Sequence, residues 1–204
     1  AVTGDVLSAR QIDTKTYAPG SPEAVNGVFP RIVINNAIGA QGSRDYAAPF
    51  DAVISVSVGC TGTLIAPNLV ISARHCGIGA GALIRFGDNS NSPDFTATVQ
   101  SSILPDGSGS LLDGGDVSIH ILNSSVPANI AEPMRLIDET NDLEGMLAVT
   151  LGYGYNGLGS AGHGFSSDGR RWGGENIIDA YGSPSNSSGS NIISTDFDNG
   201  TGGA

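Results

Sequence analysis

Hydrophobic residues in this chain fall into short runs separated by polar turns. Ala52-Val53-Ile54-Ser55-Val56-Ser57-Val58 comes first, then Thr63-Leu64-Ile65-Ala66 and Leu69-Val70-Ile71-Ser72 on either side of Pro67-Asn68. Runs of this length bounded by turn residues read as strands, and the pair around Pro67-Asn68 reads as a β-hairpin. Residues 82–87 and 95–104 predict two more strands. Val117, Ile119 and Ile121 then alternate with Ser118 and His120, the period of a half-buried strand. That alternation places His120 outward or beside the strand, with no catalytic role. Further strands are predicted over residues 146–154, around Asn176-Ile177-Ile178, and over 192–198. Arg170-Arg171 reads as an exposed basic corner, either solvated or open to proteolysis. The long Gly/Ser stretch 157–169, with His163, reads as a surface loop, 182–191 as a Ser/Asn-rich linker, and 1–31 as an irregular extension. No long amphipathic helical pattern stands out.

Composition sharpens the class. Thirty glycines and only 9 Lys+Arg suit many short strands joined by polar turns. The net charge of −11 excludes nucleic acid and anionic membrane as expected partners, because phosphate binding needs clustered cations. No apolar run approaches the roughly 18–20 residues that span a bilayer. The sequence starts with Ala rather than Met, as a secreted protein does after signal removal. Two cysteines able to pair favour an oxidising compartment. A secreted, extracellular or periplasmic protein is expected. Asp88, Asn89 and Asp94 offer oxygen ligands, but without a recognised calcium-loop spacing they read as a solvated turn. No metal or cofactor is expected.

The chemistry concentrates between Gly59 and Gly77, reading GCTGTLIAPNLVISARHCG. Cys60 and Cys76, the chain's two cysteines, bracket the hairpin, and His75 adjoins the second. Their spacing predicts a disulfide that would fix the backbone carrying His75. A histidine held in one orientation suits proton transfer; a purely structural histidine is the alternative that residues alone leave open. Cys60-Thr61-Gly62-Thr63-Leu64-Ile65 followed by Ser72-Ala73-Arg74-His75-Cys76 resembles the trypsin/chymotrypsin-like serine proteases, with Arg74 where that family usually has Ala. The resemblance implies that His75 is the catalytic base. It also extends to Asp116-Val117-Ser118-Ile119-His120, similar to the family's Asp-Ile-Ala-Leu-Ile, and implies that Asp116 orients the histidine, with Asp113 a distant second. Residues 127–133 resemble the family's crossing between barrels, and Gly152-Tyr153-Gly154 its Gly-Trp-Gly, with Tyr153 replacing Trp.

The resemblance implies an all-β fold of two six-stranded antiparallel β-barrels, the second incomplete in this chain. The expected divisions are 1–31 as an extension or pro-segment, 32–126 as the first barrel, and 127–204 as part of the second. Arg31-Ile32-Val33 admits two readings: a zymogen activation cut between Arg31 and Ile32, or an ordinary strand start, since Ile34-Asn35 stands where the family has Gly-Gly.

No Gly-Asp-Ser-Gly-Gly occurs in residues 1–204, so the nucleophilic serine the family order His, Asp, Ser would place after Asp116 is missing. Ser166-Ser167 is the nearest local alternative and lacks the flanking glycines. The expectation is a secreted serine endopeptidase acting on peptides, this chain supplying His75 and Asp116 and a second polypeptide the serine. By itself the chain is expected to be inactive. A piece of a longer polypeptide and a catalytically inactive, trypsin-like binding module are the other readings.

Overall fold

The computed structural model describes residues 31–34, 39–57, 59–106, 115–136, 143–158, 162–163, 167–178, 180–181 and 193–194. Residues 1–30 of the expected extension 1–31, Asp113, Ser166 and the linker 182–191 lie outside the described residues, as does most of the 192–198 strand.

Six strands close into one antiparallel barrel. In chain order they follow β1 (Arg31–Ile34) and a helix, α1 (Gly39–Ala47), and they are β2 (Val53–Val56), β3 (Cys60–Ala66), β4 (Leu69–Ser72), β5 (Leu83–Phe86), β6 (Phe95–Ile103) and β7 (Ser118–Leu122). Around the barrel the order is β2-β3-β4-β7-β6-β5, with β5 returning to β2 through Ser55↔Arg85 and Val56↔Ile84. Register shifts at Leu64/Ala66 and Val99/Ser101 bend two of the strands, as bulges do where a sheet must curve onto itself. Ile54, Leu64, Val70, Ile84 and Phe86 are fully buried in its interior. Each such side chain contributes on the order of 1.5–3 kcal/mol by leaving water.

Gly62 is required at the hairpin because a Cβ there would lie 2.9 Å from Val70 Cγ1 and 3.0 Å from the Ile71 carbonyl oxygen. The hairpin, the core strands and the Pro67-Asn68 turn all lie where the hydrophobic pattern places them.

The alternation on β7 runs opposite to expectation. Ser118, His120 and Leu122 are the buried positions, while Val117 is exposed and Ile119 and Ile121 are half-buried. His120 therefore points into the barrel. Its ring is accommodated because each nitrogen lies 2.8 Å from a serine hydroxyl, Nδ1 from Ser102 and Nε2 from Ser118. A hydrogen-bonded polar group can be buried at little cost, so polarity alone misreads this strand.

The C-terminal half builds β8 (Leu147–Gly152), β9 (Tyr155–Leu158), β10 (Gly162–His163), β11 (Trp172–Ile177), β12 (Ala180–Tyr181) and β13 (Ile193–Ser194). Among the described residues these form short sheets: β11-β8, β12-β13, and β1-β9-β10. The architecture is mostly β, with one closed barrel and a partial second sheet system. β1 pairs in parallel with β9, setting Arg31 against Tyr155 and Ile32 against Asn156. Arg31 and Ile32 thus lie in a paired strand.

Two features of the junction between the halves are not those the sequence suggests. Helix α1 forms although no long amphipathic helical pattern stands out, and it is anchored by Ser43, whose hydroxyl donates to the Gly173 carbonyl at 2.6 Å and accepts the Gly173 N–H at 3.1 Å. Arg171, expected at an exposed corner, is 1% exposed. Its guanidinium donates to the carbonyls of Ala47, Ala48 and Val53 and to the carboxylates of Asp51 and Asp88. Burial is tolerated because the planar fork finds an acceptor on every side. Arg170 is exposed, in keeping with the expectation.

Candidate active site

The site begins with a disulfide. Cys60 opens β3 and Cys76 follows β4, and the two are joined with their Cα atoms 6.3 Å apart. Between β4 and Cys76 the chain turns through a single 3₁₀ turn, Arg74–Cys76, which carries His75. Gly77 ends that turn at φ +60°, a left-handed conformation that glycine adopts without a Cβ clash, and its N–H closes onto the Arg74 carbonyl at 3.1 Å. Disulfide, turn and glycine leave the His75 backbone one path.

Asp116 enters from just before β7, which pairs with β4 in the register Ser72↔Ser118. Its carboxylate meets His75 twice. Oδ2 lies 2.6 Å from His75 Nδ1, and Oδ1 accepts the His75 backbone N–H at 2.7 Å. The Asp116 carbonyl also receives the Arg74 N–H at 3.4 Å. Burial pushes the Asp116 carboxyl up, but hydrogen bonds from the His75 ring and backbone outweigh it, and the group is held below its ordinary value. It is therefore ionised and can only accept. Nδ1 must then carry the ring proton, which leaves the lone pair on Nε2.

Exposure divides the pair by role. The Asp116 side chain is 8% exposed and the His75 side chain 55%. The carboxylate is shielded while the ring reaches solvent. The neighbour of Nε2 is Cys76 Sγ at 3.8 Å, a disulfide sulfur and a weak acceptor at most. An exposed imidazole with a free basic nitrogen and a buried anion behind it can take a proton from a substrate-side hydroxyl and return it.

Cys60, His75 and Cys76 also cluster within 4.8 Å, the spacing of a metal site. With both sulfurs joined to each other, no thiolate is left to ligate. Asp88, in the loop weighed for calcium, turns to Arg171 at 2.5 Å.

Ser167 does not serve His75. Its hydroxyl donates to the Tyr153 carbonyl and accepts the Gly169 N–H at 3.1 Å. Tyr153 itself is buried, its phenol donating to the Gly87 carbonyl at 2.5 Å and its N–H reaching Thr61 Oγ1 at 3.0 Å. Burial, with Asp88 and Asp51 nearby, raises its phenol to about 12 against the opposing pull of Arg171. The hydroxyl that distinguishes Tyr153 from the expected Trp is thus used to bind this chain's own backbone.

The family model described as Trypsin matches residues 37–168, more than half of the chain. The chain belongs to the trypsin family. The match spans the disulfide hairpin, His75 and Asp116. No curated protein matches the chain. Family membership makes a trypsin-like serine protease the general class, with peptides or proteins as the substrate class. No described helix is long and apolar enough to cross a membrane.

Proposed function

We propose that residues 1–204 carry the base and the orienting carboxylate of a secreted serine endopeptidase, and that a second polypeptide brings the nucleophilic serine to His75. The observation that supports this reading is the double contact of Asp116 with His75, at 2.6 Å to the ring and 2.7 Å to the backbone. Nε2 of His75 takes the serine proton as the serine oxygen attacks the scissile carbonyl. The same nitrogen then returns the proton to the leaving amine. Asp116 holds the Nδ1–H tautomer throughout and stabilises the imidazolium without itself becoming protonated. A binding module would need neither group in this arrangement.

Activation by a cut between Arg31 and Ile32 belongs to this proposal only with an added step. Both residues pair with β9, so the cut must be made in a strand first lifted from its ladder.

The test is reaction of the purified protein with a fluorophosphonate, followed by peptide mapping of the adduct. The label is expected on a serine of a separate polypeptide, and it should disappear in His75→Ala. A label on a serine joined to this chain beyond residue 204 would keep the His75–Asp116 assignment and overturn the second polypeptide. A stoichiometric adduct within residues 1–204 would overturn the whole reading.

A further inference from the structure

His120 is buried, polar and unused by the chemistry above. It lies on β7 with no exposed surface, opposite Val70 of β4 and Ser102 of β6. Its ring nitrogens touch two serines: Nδ1 is 2.8 Å from Ser102 Oγ and Nε2 is 2.8 Å from Ser118 Oγ. Each serine reaches one step further. Ser102 Oγ donates to the Ile78 carbonyl at 2.9 Å, and Ser118 Oγ to the Ser72 carbonyl at 3.2 Å.

Those two carbonyls are the feet of the segment that carries His75. Ser72 ends β4 and Ile78 follows Gly77, with Ala73, the 3₁₀ turn and Gly77 between them. Ser118 stands two residues after Asp116. One ring therefore reaches both ends of the segment bearing the base and the start of the strand behind the carboxylate. We propose that His120 is a positioning residue for His75, acting through Ser102 and Ser118 on the backbone at both feet of that segment.

Proton counting shows why an imidazole suits the place. Each hydroxyl has one proton, so a serine that donates to a carbonyl can only accept from the ring. A neutral ring has one N–H and one lone pair. The shorter carbonyl bond is Ser102 to Ile78, which assigns the ring proton to Nδ1 and directs the Ser102 hydroxyl at Ile78. The Ser118 hydroxyl then shares its proton between Nε2 and the Ser72 carbonyl, consistent with the longer 3.2 Å contact. An apolar side chain at position 120 would take from the Ser102 oxygen its ring donor and from the Ser118 hydroxyl its nearer acceptor.

The inference rests on His75 being the base, and its test is chosen to be read separately. His120→Leu removes both ring contacts at similar bulk, whereas His120→Gln keeps one donor and one acceptor. Backbone amide exchange needs no activity, and the amides of Arg74, His75, Cys76 and Gly77 all have acceptors. In the complete protein, His120→Leu should speed exchange across 73–77 while leaving β2, β3 and β5 protected, and His120→Gln should restore most of the protection. In the active protease, kcat should fall on the order of 10²-fold, the size of effect that follows a displaced catalytic group, with KM little changed and kcat recovered by Gln. If His120→Leu does not fold, Ser102→Ala and Ser118→Ala each loosen one foot and are read in the same way. Unchanged exchange across 73–77, or a kcat loss that Gln fails to recover, would overturn the proposal. Loss of the His75 assignment would appear instead as normal activity in His75→Ala.

Discussion

The two halves of the molecule use the same material differently. In the first barrel every strand has two hydrogen-bonded neighbours, and Ile54, Leu64, Val70, Ile84 and Phe86 have no exposed surface. In the β8–β11 pair, Leu147 and Ile177 stand opposite each other and are 45% and 40% exposed, with Val149 on the same face at 39%. Both halves contain strands of branched apolar residues, so composition does not separate them. Closure does. A closed barrel has no free edge and gives all its inward side chains one interior, so it fixes its geometry without outside help. His75 and Asp116 both stand on that half, which is why their mutual distance is set by barrel register.

The strongest test of this contrast is chemical. Asp116→Asn should lower turnover of the active protease on the order of 10⁴-fold, as loss of the orienting anion does in such triads. A variant of near-normal activity would show that the barrel places a spectator there. Next in size is Leu64→Ala, which should cost about 2–5 kcal/mol because the barrel cannot collapse around the cavity, read by denaturant unfolding. Reduction of Cys60–Cys76, whose sequence separation is 16, should cost roughly 3 kcal/mol by freeing the loop between them. Alkylation without reductant should leave both cysteines unlabelled.

Acid titration gives a smaller effect. Burial lowers the His120 value, so the unfolded chain takes up this proton first as pH falls. Its contribution is complete above the ordinary histidine value of about 6.5 and is lost below it, by at most about 1.4 kcal/mol per pH unit. His120→Gln should flatten the dependence of melting temperature on pH in that window. Asp116, also lowered, acts in a separate and more acidic window, losing its contribution as pH falls below 3.8. The smallest effect is expected at Val149→Ala, within about 0.5 kcal/mol, as for surface positions generally. A cost comparable to that of Leu64→Ala would erase the distinction between the halves.

The hairpin, the barrel strands and the His75–Asp116 pair were legible because each is written locally: apolar runs, one turn signal, and short motifs. What could not be read is written across distance. Arg171 looks like a surface arginine until the carbonyls of Ala47, Ala48 and Val53 are brought to it from far earlier in the chain. His120 looks outward until Ser102 and Ser118 flank it. Helix α1 has few apolar residues and is tied down by polar contacts to distant residues, among them Ser43 to Gly173 and Tyr46 to Glu175, so no periodicity announces it. In each case a polar side chain is buried by partners that sequence separation conceals. Tyr153 follows the same rule, since its departure from Trp makes sense only beside the Gly87 carbonyl.

The parallel pairing of β1 with β9 also sets an order of assembly. Arg31 meets Tyr155 only after more than half the chain has intervened, and the whole first barrel lies between them. During synthesis from the N-terminus the barrel strands are complete before β9 exists. β1 can therefore take its place beside β9 only after every strand of the first barrel has been made.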